Sequence, residues 1–76
     1  MIQPCDLMHD SLDIGDNVIF SYYEGSGMLY TGEIIDITER KVIVVPYSIY
    51  DGQKQFDLSR RFIDRELAHC YLLKIK

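Results

Sequence analysis

The chain has 76 residues, of which 47% are hydrophobic and 26% are charged, and its formal net charge is −4. This length makes one domain, and the composition is typical of a folded globular chain and not of a disordered one. No run of about 18 apolar residues is present, and the N-terminus lacks the basic and apolar regions of a secretory signal. We therefore expect one small cytoplasmic domain that does not contact membranes.

Charge is distributed unevenly along the chain. Residues 1–53 hold nine acidic and two basic side chains, whereas residues 54–76 hold three acidic and six basic ones. An acidic protein gains little from the counterion release that dominates affinity for nucleic acids. The net charge therefore disfavours a nucleic-acid partner, while the basic C-terminal part leaves local phosphate contact as an alternative.

The N-terminal part is predicted to begin as an arm and to continue as β-structure. Residues 1–13 show no hydrophobic period and are interpreted as an N-terminal arm or a short extra strand. A β-rich run then predicts a first strand over 16–23, with Val18 and Phe20 on one face. Two glycines within residues 24–27 indicate a loop.

Two longer runs predict the second and third strands. Residues 28–38 are rich in β-branched side chains, and Gly32 in the middle indicates a bend or a bulge. Residues 41–50 are predicted as the third strand. Pro46 lacks a backbone N–H, so the strand is expected to end, bulge or reach a sheet edge there.

The C-terminal part is predicted as a hairpin, a helical segment and a last strand. Asp51-Gly52 is a strong signal for a tight turn into a fourth strand over 53–58. Ser59 is predicted to cap a short helical segment that extends to Ala68. The last strand is predicted over 70–75.

These elements predict an all-β fold in which residues 14–76 close into a small five-stranded barrel with one helical turn before the last strand. Closure removes the exposed sheet edges that promote aggregation. The predicted core consists of eight apolar side chains: Val18, Phe20, Ile34, Val42, Val44, Phe56, Leu67 and Leu73.

Three stretches of the sequence resemble the SH3-like barrels of the Tudor and KOW kind. They are Ile14-Gly15-Asp16-Asn17-Val18-Ile19-Phe20, Tyr30-Thr31-Gly32-Glu33-Ile34-Ile35-Asp36-Ile37 and Val42-Ile43-Val44. In that family such stretches form the first three strands. The family includes methyl-lysine readers, nucleic-acid-binding modules, ribosomal proteins and docking domains, so the resemblance implies a fold and leaves the function open. In size and acidity the chain is also similar to small accessory proteins of bacteriophages.

The resemblance implies that the first and third loops lie at one end of the barrel, where aromatic side chains would meet. The predicted partner-binding residues are Tyr22, Tyr30, Tyr47 and Tyr50, with Glu24 and Asp51 at the rim. Aromatic faces beside a carboxylate attract a desolvated cation, as in a methyl-lysine cage. The same tyrosines suit a protein interface, or simple cover for the barrel walls, and the sequence leaves the three interpretations open.

A basic group supplies the alternative site. Lys54, Arg60, Arg61 and Arg65 follow the predicted Asp51-Gly52 turn, and Arg61 and Arg65 are spaced to share one face of the predicted helical segment. Two such guanidinium groups hold a phosphate well. The competing interpretation is a solvated turn whose charge is neutralised by nearby carboxylates.

The cysteines and histidines do not form a convincing metal site or catalytic site. Cys5 and His9 have acceptable ligand spacing, but the adjacent pair His69-Cys70 points to opposite faces of a strand. Two free thiols are favoured over a bridge between Cys5 and Cys70. We therefore expect no metal, no cofactor and no enzymatic activity.

The sequence thus predicts a non-enzymatic interaction module that binds a protein partner. The phage resemblance implies that this partner is a host or viral protein whose activity is modulated. The alternative is a KOW-like nucleic-acid-binding module, and a homo-oligomer joined through strands or tyrosines is a third class.

Overall fold

A computed structural model describes residues 3–20 and 29–75 as an antiparallel β-sheet with two short helical turns. The strands are β1 (Asn17–Phe20), β2 (Tyr30–Ile37), β3 (Lys41–Tyr50), β4 (Gln53–Phe56), β5 (Arg61–Asp64) and β6 (Leu72–Lys74). A 3-10 turn (Arg65–Leu67) and helix α1 (Ala68–Tyr71) connect β5 to β6. None of the helices in these ranges is long and apolar enough to cross a membrane. The all-β prediction is confirmed.

The six strands form an open sheet in the order β4-β3-β2-β1-β6, and β5 pairs with β3. Both β4 and β5 lie on the edge of β3 that faces away from β2, with β5 beside residues 41–44 and β4 beside residues 47–50. The predicted closure of five strands into a barrel is therefore not confirmed, because the region predicted as one strand and a helical segment contains two strands.

Strand β5 replaces most of the predicted helical segment. Ser59 caps no helix, and Arg61 to Asp64 instead pair with Val44 to Lys41. The physical reason is that β4 covers only the second half of β3, and the backbone groups of the first half need partners of their own. The helical turn before the last strand is confirmed, but it begins only at Arg65.

Pro46 explains why β4 and β5 are two strands and not one. Its carbonyl accepts a hydrogen bond from the Asp57 N–H at 2.8 Å, so this edge of Pro46 faces the junction between β4 and β5. Proline has no N–H to donate there, and the ladder loses one rung. Residues 57–60 lie opposite only Val45 and Pro46, between the pairs Tyr47–Phe56 and Val44–Arg61. The connection therefore contains two more residues than the part of β3 that lies opposite.

The hairpin between β3 and β4 turns on two residues, as predicted. Tyr50 pairs with Gln53, and the turn residues Asp51 and Gly52 have φ angles of 53° and 77°. Positive φ at both central positions is the geometry that an Asp-Gly pair adopts most readily.

The core lies on one face of the sheet, here called the inner face. It contains Leu12, Val18, Phe20, Ile34, Val42, Val44, Ile63, Ala68 and Leu72. Five of the eight predicted core residues are confirmed. The predicted core positions of Phe56 and Leu67 are wrong, because both side chains are exposed. Leu73 is only half-buried. Phe56 pairs with Tyr47 on the outer face, and the pairing of Phe20 with Leu72 turns Leu73 outward.

Two features of β2 allow it to pack tightly. The register shifts between Ile34 and Asp36, so the predicted bulge lies at Ile35 and not at Gly32. The extra residue lets Ile34 and Ile37 both reach the core side. Gly32 is instead a point of close approach, because a Cβ atom there would overlap Val44 and lie 3.0 Å from Phe20 Cε1.

The N-terminal arm is joined to the last strand by a buried carboxylate. Asp6 Oδ2 accepts a hydrogen bond from the Lys74 N–H at 2.7 Å, while Oδ1 accepts from the N–H groups of Met8 and Asp10, each at 2.9 Å. The Leu7 N–H also donates to the Leu72 carbonyl at 2.9 Å. The arm thereby covers the edge of β6 and places Leu12 in the core.

Replacing Asp6 is expected to destabilise the fold in a graded way. Asp6→Ala leaves three N–H groups without their acceptor and should lower the free energy of unfolding by about 3 kcal/mol or more. Asp6→Asn keeps one oxygen but presents an NH₂ group to an N–H donor, so its cost should be smaller. Urea denaturation measures both, with the exposed Asp57→Asn as a control. Equal stability of all three variants would contradict the role of this carboxylate.

Gly32→Ala is expected to lower stability by roughly 1–3 kcal/mol through overpacking. Because the obstruction includes a methyl group of Val44, combining Gly32→Ala with Val44→Ala should cost less than the sum of the two single changes. A double-mutant cycle by urea denaturation tests this coupling. Strict additivity would show that the methyl group is not the obstruction.

Candidate functional site

The predicted tyrosine cluster is not a single aromatic cage among the residues that the structure describes. Tyr22 and Glu24 lie outside those residues. Tyr30 is half-buried and packs against Phe20, with ring centroids 5.7 Å apart. Tyr47 lies on the outer face of β3, whereas Tyr50, three residues further, points to the opposite side and is exposed beside Asp51. The structure thus separates Tyr50 from Tyr47 and Tyr30.

Tyr47 is held in place by its neighbours on the outer face. Its hydroxyl donates to Asn17 Oδ1 at 3.1 Å, and its ring meets the edge of Phe56 with centroids 5.7 Å apart. Lys54 Nζ lies 4.8 Å from the centre of the Tyr47 ring and forms an ion pair with Glu33 Oε1 at 2.9 Å. The position that a cationic ligand would take over Tyr47 is therefore occupied by the protein's own lysine.

A shallow groove of about 360 Å³ runs beside Tyr47. It is lined by Tyr30, Pro46, Tyr47, Ser48, Gln55, Phe56 and Asp57. Two of the predicted tyrosines therefore line one groove, although they come from different strands. Its walls combine aromatic rings with small polar groups, a mixture that suits a side chain of a protein partner.

The four predicted basic residues are dispersed in the structure. Lys54 is engaged by Glu33 on the outer face, and Arg60 lies exposed in the connection between β4 and β5. Arg61 belongs to β5, whereas Arg65 begins the 3-10 turn and donates to the Thr38 carbonyl at 2.9 Å. Arg61 and Arg65 therefore do not share the face of one helix, on which the predicted phosphate site depended.

A second, larger groove of about 730 Å³ lies between the arm and the 3-10 turn. It is lined by Gln3, Pro4, Cys5, Glu39, Arg40, Asp64, Arg65, Glu66 and His69. Two arginines face three carboxylates, and Asp64 also pairs with Lys41. The mixed signs give the groove no net attraction for an anion or a cation.

The cysteines and histidines are spread over two places. Cys5 Sγ lies 4.0 Å from His9 Nδ1 in the arm, while His69 and Cys70 are exposed on α1. Both thiols are free. Within residues 3–20 and 29–75, no three His, Cys, Asp or Glu side chains lie together as a metal would require.

Sequence reasoning missed an apolar surface on the side of the sheet opposite the core. We define the outer apolar face as Ile43, Val45, Tyr47 and Ile49 of β3, Phe56 of β4 and Phe62 of β5. The register places them together, because Phe56 pairs with Tyr47 and Phe62 pairs with Ile43. Ile49, Phe56 and Phe62 are 62%, 48% and 57% exposed. The signal was present in β3, whose apolar residues occupy both alternating positions.

The structure defines a small antiparallel β-sheet domain with one buried and one apolar exposed face. Residues 5–62 match the model of a protein family described as a domain of unknown function, DUF7205. The match covers most of the chain, and the chain belongs to this family. All six residues of the outer apolar face lie within the matched range. No curated protein and no solved structure matches the chain.

Lys54→Met is expected to lower the free energy of unfolding by about 0.5–1 kcal/mol, because the ammonium interacts with both Glu33 and the Tyr47 ring. Lys41→Met is a matched control, since the ion pair of Lys41 with Asp64 is more exposed. Urea denaturation at low and high salt measures both changes. A larger effect of the Lys41 variant would contradict the arrangement around Tyr47.

Proposed function

We propose that this chain is a non-enzymatic interaction module that binds a protein partner through the outer apolar face. The observation that carries the proposal is the register of β3, β4 and β5, which aligns six apolar side chains on the solvent side of the sheet. Contiguous exposed apolar patches on small proteins commonly mark interaction sites.

The composition and rigidity of the face support this proposal. Aromatic side chains are enriched at the energetic centres of interfaces, and this face contains three of them. Tyr47 is already oriented by Asn17 and Phe56, so little side-chain entropy is lost when a partner covers it. The pair of Lys54 and Glu33 borders the face and supplies a polar rim.

The geometry gives less support to the nucleic-acid alternative. The four basic residues lie in four different parts of the fold, and Lys54 and Arg65 are engaged with acceptors of the chain itself. The net charge of −4 opposes association with a polyanion. We therefore rank a protein partner above a nucleic acid.

We further propose that the fold belongs to the SH3-like class. Two features support this: the last strand, β6, pairs with the first, and a short helical turn precedes it. We place the module in the cytoplasm, where both free thiols stay reduced. By the resemblance to phage accessory proteins, the partner is a host or viral protein whose activity the module changes.

Substitutions on the outer apolar face are expected to weaken partner binding without unfolding the chain. Ile49→Ser and Phe62→Ser should each weaken a partner captured from the native host by at least about tenfold, as loss of an interface anchor does. Ile14→Ser, equally exposed but in the turn before β1, is the matched control. Calorimetric titration gives the affinities, and circular dichroism verifies folding.

Two outcomes would overturn this proposal. The first is full binding by both face variants together with loss of binding by Ile14→Ser. The second is retention on heparin at low salt that disappears when Arg60, Arg61 and Arg65 are replaced, which would instead support the nucleic-acid alternative.

A further inference from the structure

We infer that two copies of this chain associate through residues 57–60, the connection between β4 and β5, in an antiparallel arrangement about a twofold axis. This surface lies at the edge of the sheet and adjoins the outer apolar face at Phe56 and Phe62, but its own residues, 57–60, are not part of that face. The inference goes beyond the proposed function, and each can fail without the other.

The connection carries one exposed apolar side chain and lies between two exposed aromatic residues. Leu58 is fully exposed, with a relative accessibility of 101%, and Phe56 and Phe62 flank it on the two adjoining strands. The hydrogen bond from the Asp57 N–H to the Pro46 carbonyl fixes the start of the connection against β3. Leu58 is thus held at a defined place and is accessible to a neighbouring molecule.

Charge along the connection is self-complementary. Asp57 and Arg60 are both exposed, and within residues 3–20 and 29–75 neither side chain makes a hydrogen bond or an ion pair. A twofold axis between Leu58 and Ser59 brings Asp57 opposite the partner subunit's Arg60, and Arg60 opposite the partner subunit's Asp57. Each contact of a twofold interface occurs twice, so two ion pairs form, one on either side of the axis, and each Leu58 lies opposite the partner subunit's Ser59.

The edge also lacks one of the usual protections against self-association. Lysine side chains on an edge strand commonly repel a second strand. Lys54 is the lysine of β4, but its ammonium turns over the outer face to Asn17, at 2.6 Å, and to Glu33. By contrast, the edge of β6 is covered by the arm through Leu7 and Asp6. The β4–β5 edge is therefore the side of the sheet that favours a second copy.

Sedimentation equilibrium from micromolar to millimolar concentration tests the inference on the full chain. The unmodified chain should show a concentration-dependent dimer. Asp57→Arg and Arg60→Asp should each weaken dimerisation by at least about tenfold, because like charges then face each other twice. The double variant, with Asp57→Arg and Arg60→Asp together, should restore the dimer, since the two ion pairs re-form with reversed signs.

Matched controls separate this contact from general charge and from the outer apolar face. Glu39→Arg changes the net charge as Asp57→Arg does, but lies on another turn and should leave the dimer unchanged. Ile49→Ser should also leave it unchanged while reducing binding of a different partner. If a charge variant fails to fold, chemical shifts of the unmodified chain on dilution give the same information, with changes expected at residues 56–62.

A monomer over the whole concentration range would overturn the inference. So would a dimer that both single charge variants leave intact, or shift changes located elsewhere in the chain. A dimer weakened by both single variants but not restored by the double variant would overturn the antiparallel arrangement.

Discussion

The pairing of β3 on both of its edges is the constraint on which the rest of this structure depends. The strand is ten residues long, and its buried backbone groups all need partners. On one side β2 supplies them along most of the strand. On the other side β4 reaches only the second half, and β5 must pair with the first. Pro46 divides this second edge because it has no N–H to offer the neighbouring strand. The unpaired connection at residues 57–60 lies opposite that missing donor.

The two faces of β3 account for both the stability and the proposed activity of the domain. Val42 and Val44 point into the core, and β2 packs closely against Val44 at Gly32. Ile43, Val45 and Tyr47 alternate with them and point outward. A strand that is apolar on both faces usually lies between two layers, but in residues 3–20 and 29–75 the core lies on one face of this small sheet. The second face is consequently available to a partner, and Tyr47 on this face is held in place by Asn17 of β1 and Phe56 of β4.

The two edges of the sheet differ in what covers their backbone groups. At β6 the arm folds back, and the Asp6 carboxylate accepts the Lys74 N–H that a further strand would otherwise have bound. Asp6 is fully buried, so its charge is stabilised by three backbone donors instead of water. At β4 and β5 no equivalent cover is present in the described residues. This asymmetry leaves one edge of the sheet, together with the outer apolar face, as the surfaces through which the domain meets other molecules.

The sequence by itself determined the class of fold, the extent of β3, the Asp51-Gly52 turn and five of the core residues, because these depend on alternation and on local backbone preference. It also marked Pro46 as a disruption. Only the tertiary structure decided that Pro46 interrupts the strands paired with β3, between β4 and β5, and leaves β3 itself continuous. It also decided that Arg61 to Asp64 form a strand and that Phe56 faces outward. Those outcomes depend on which backbone groups of β3 remain unpaired and on the register between strands. Both are set by contacts between residues distant in the chain, and no local pattern reports them.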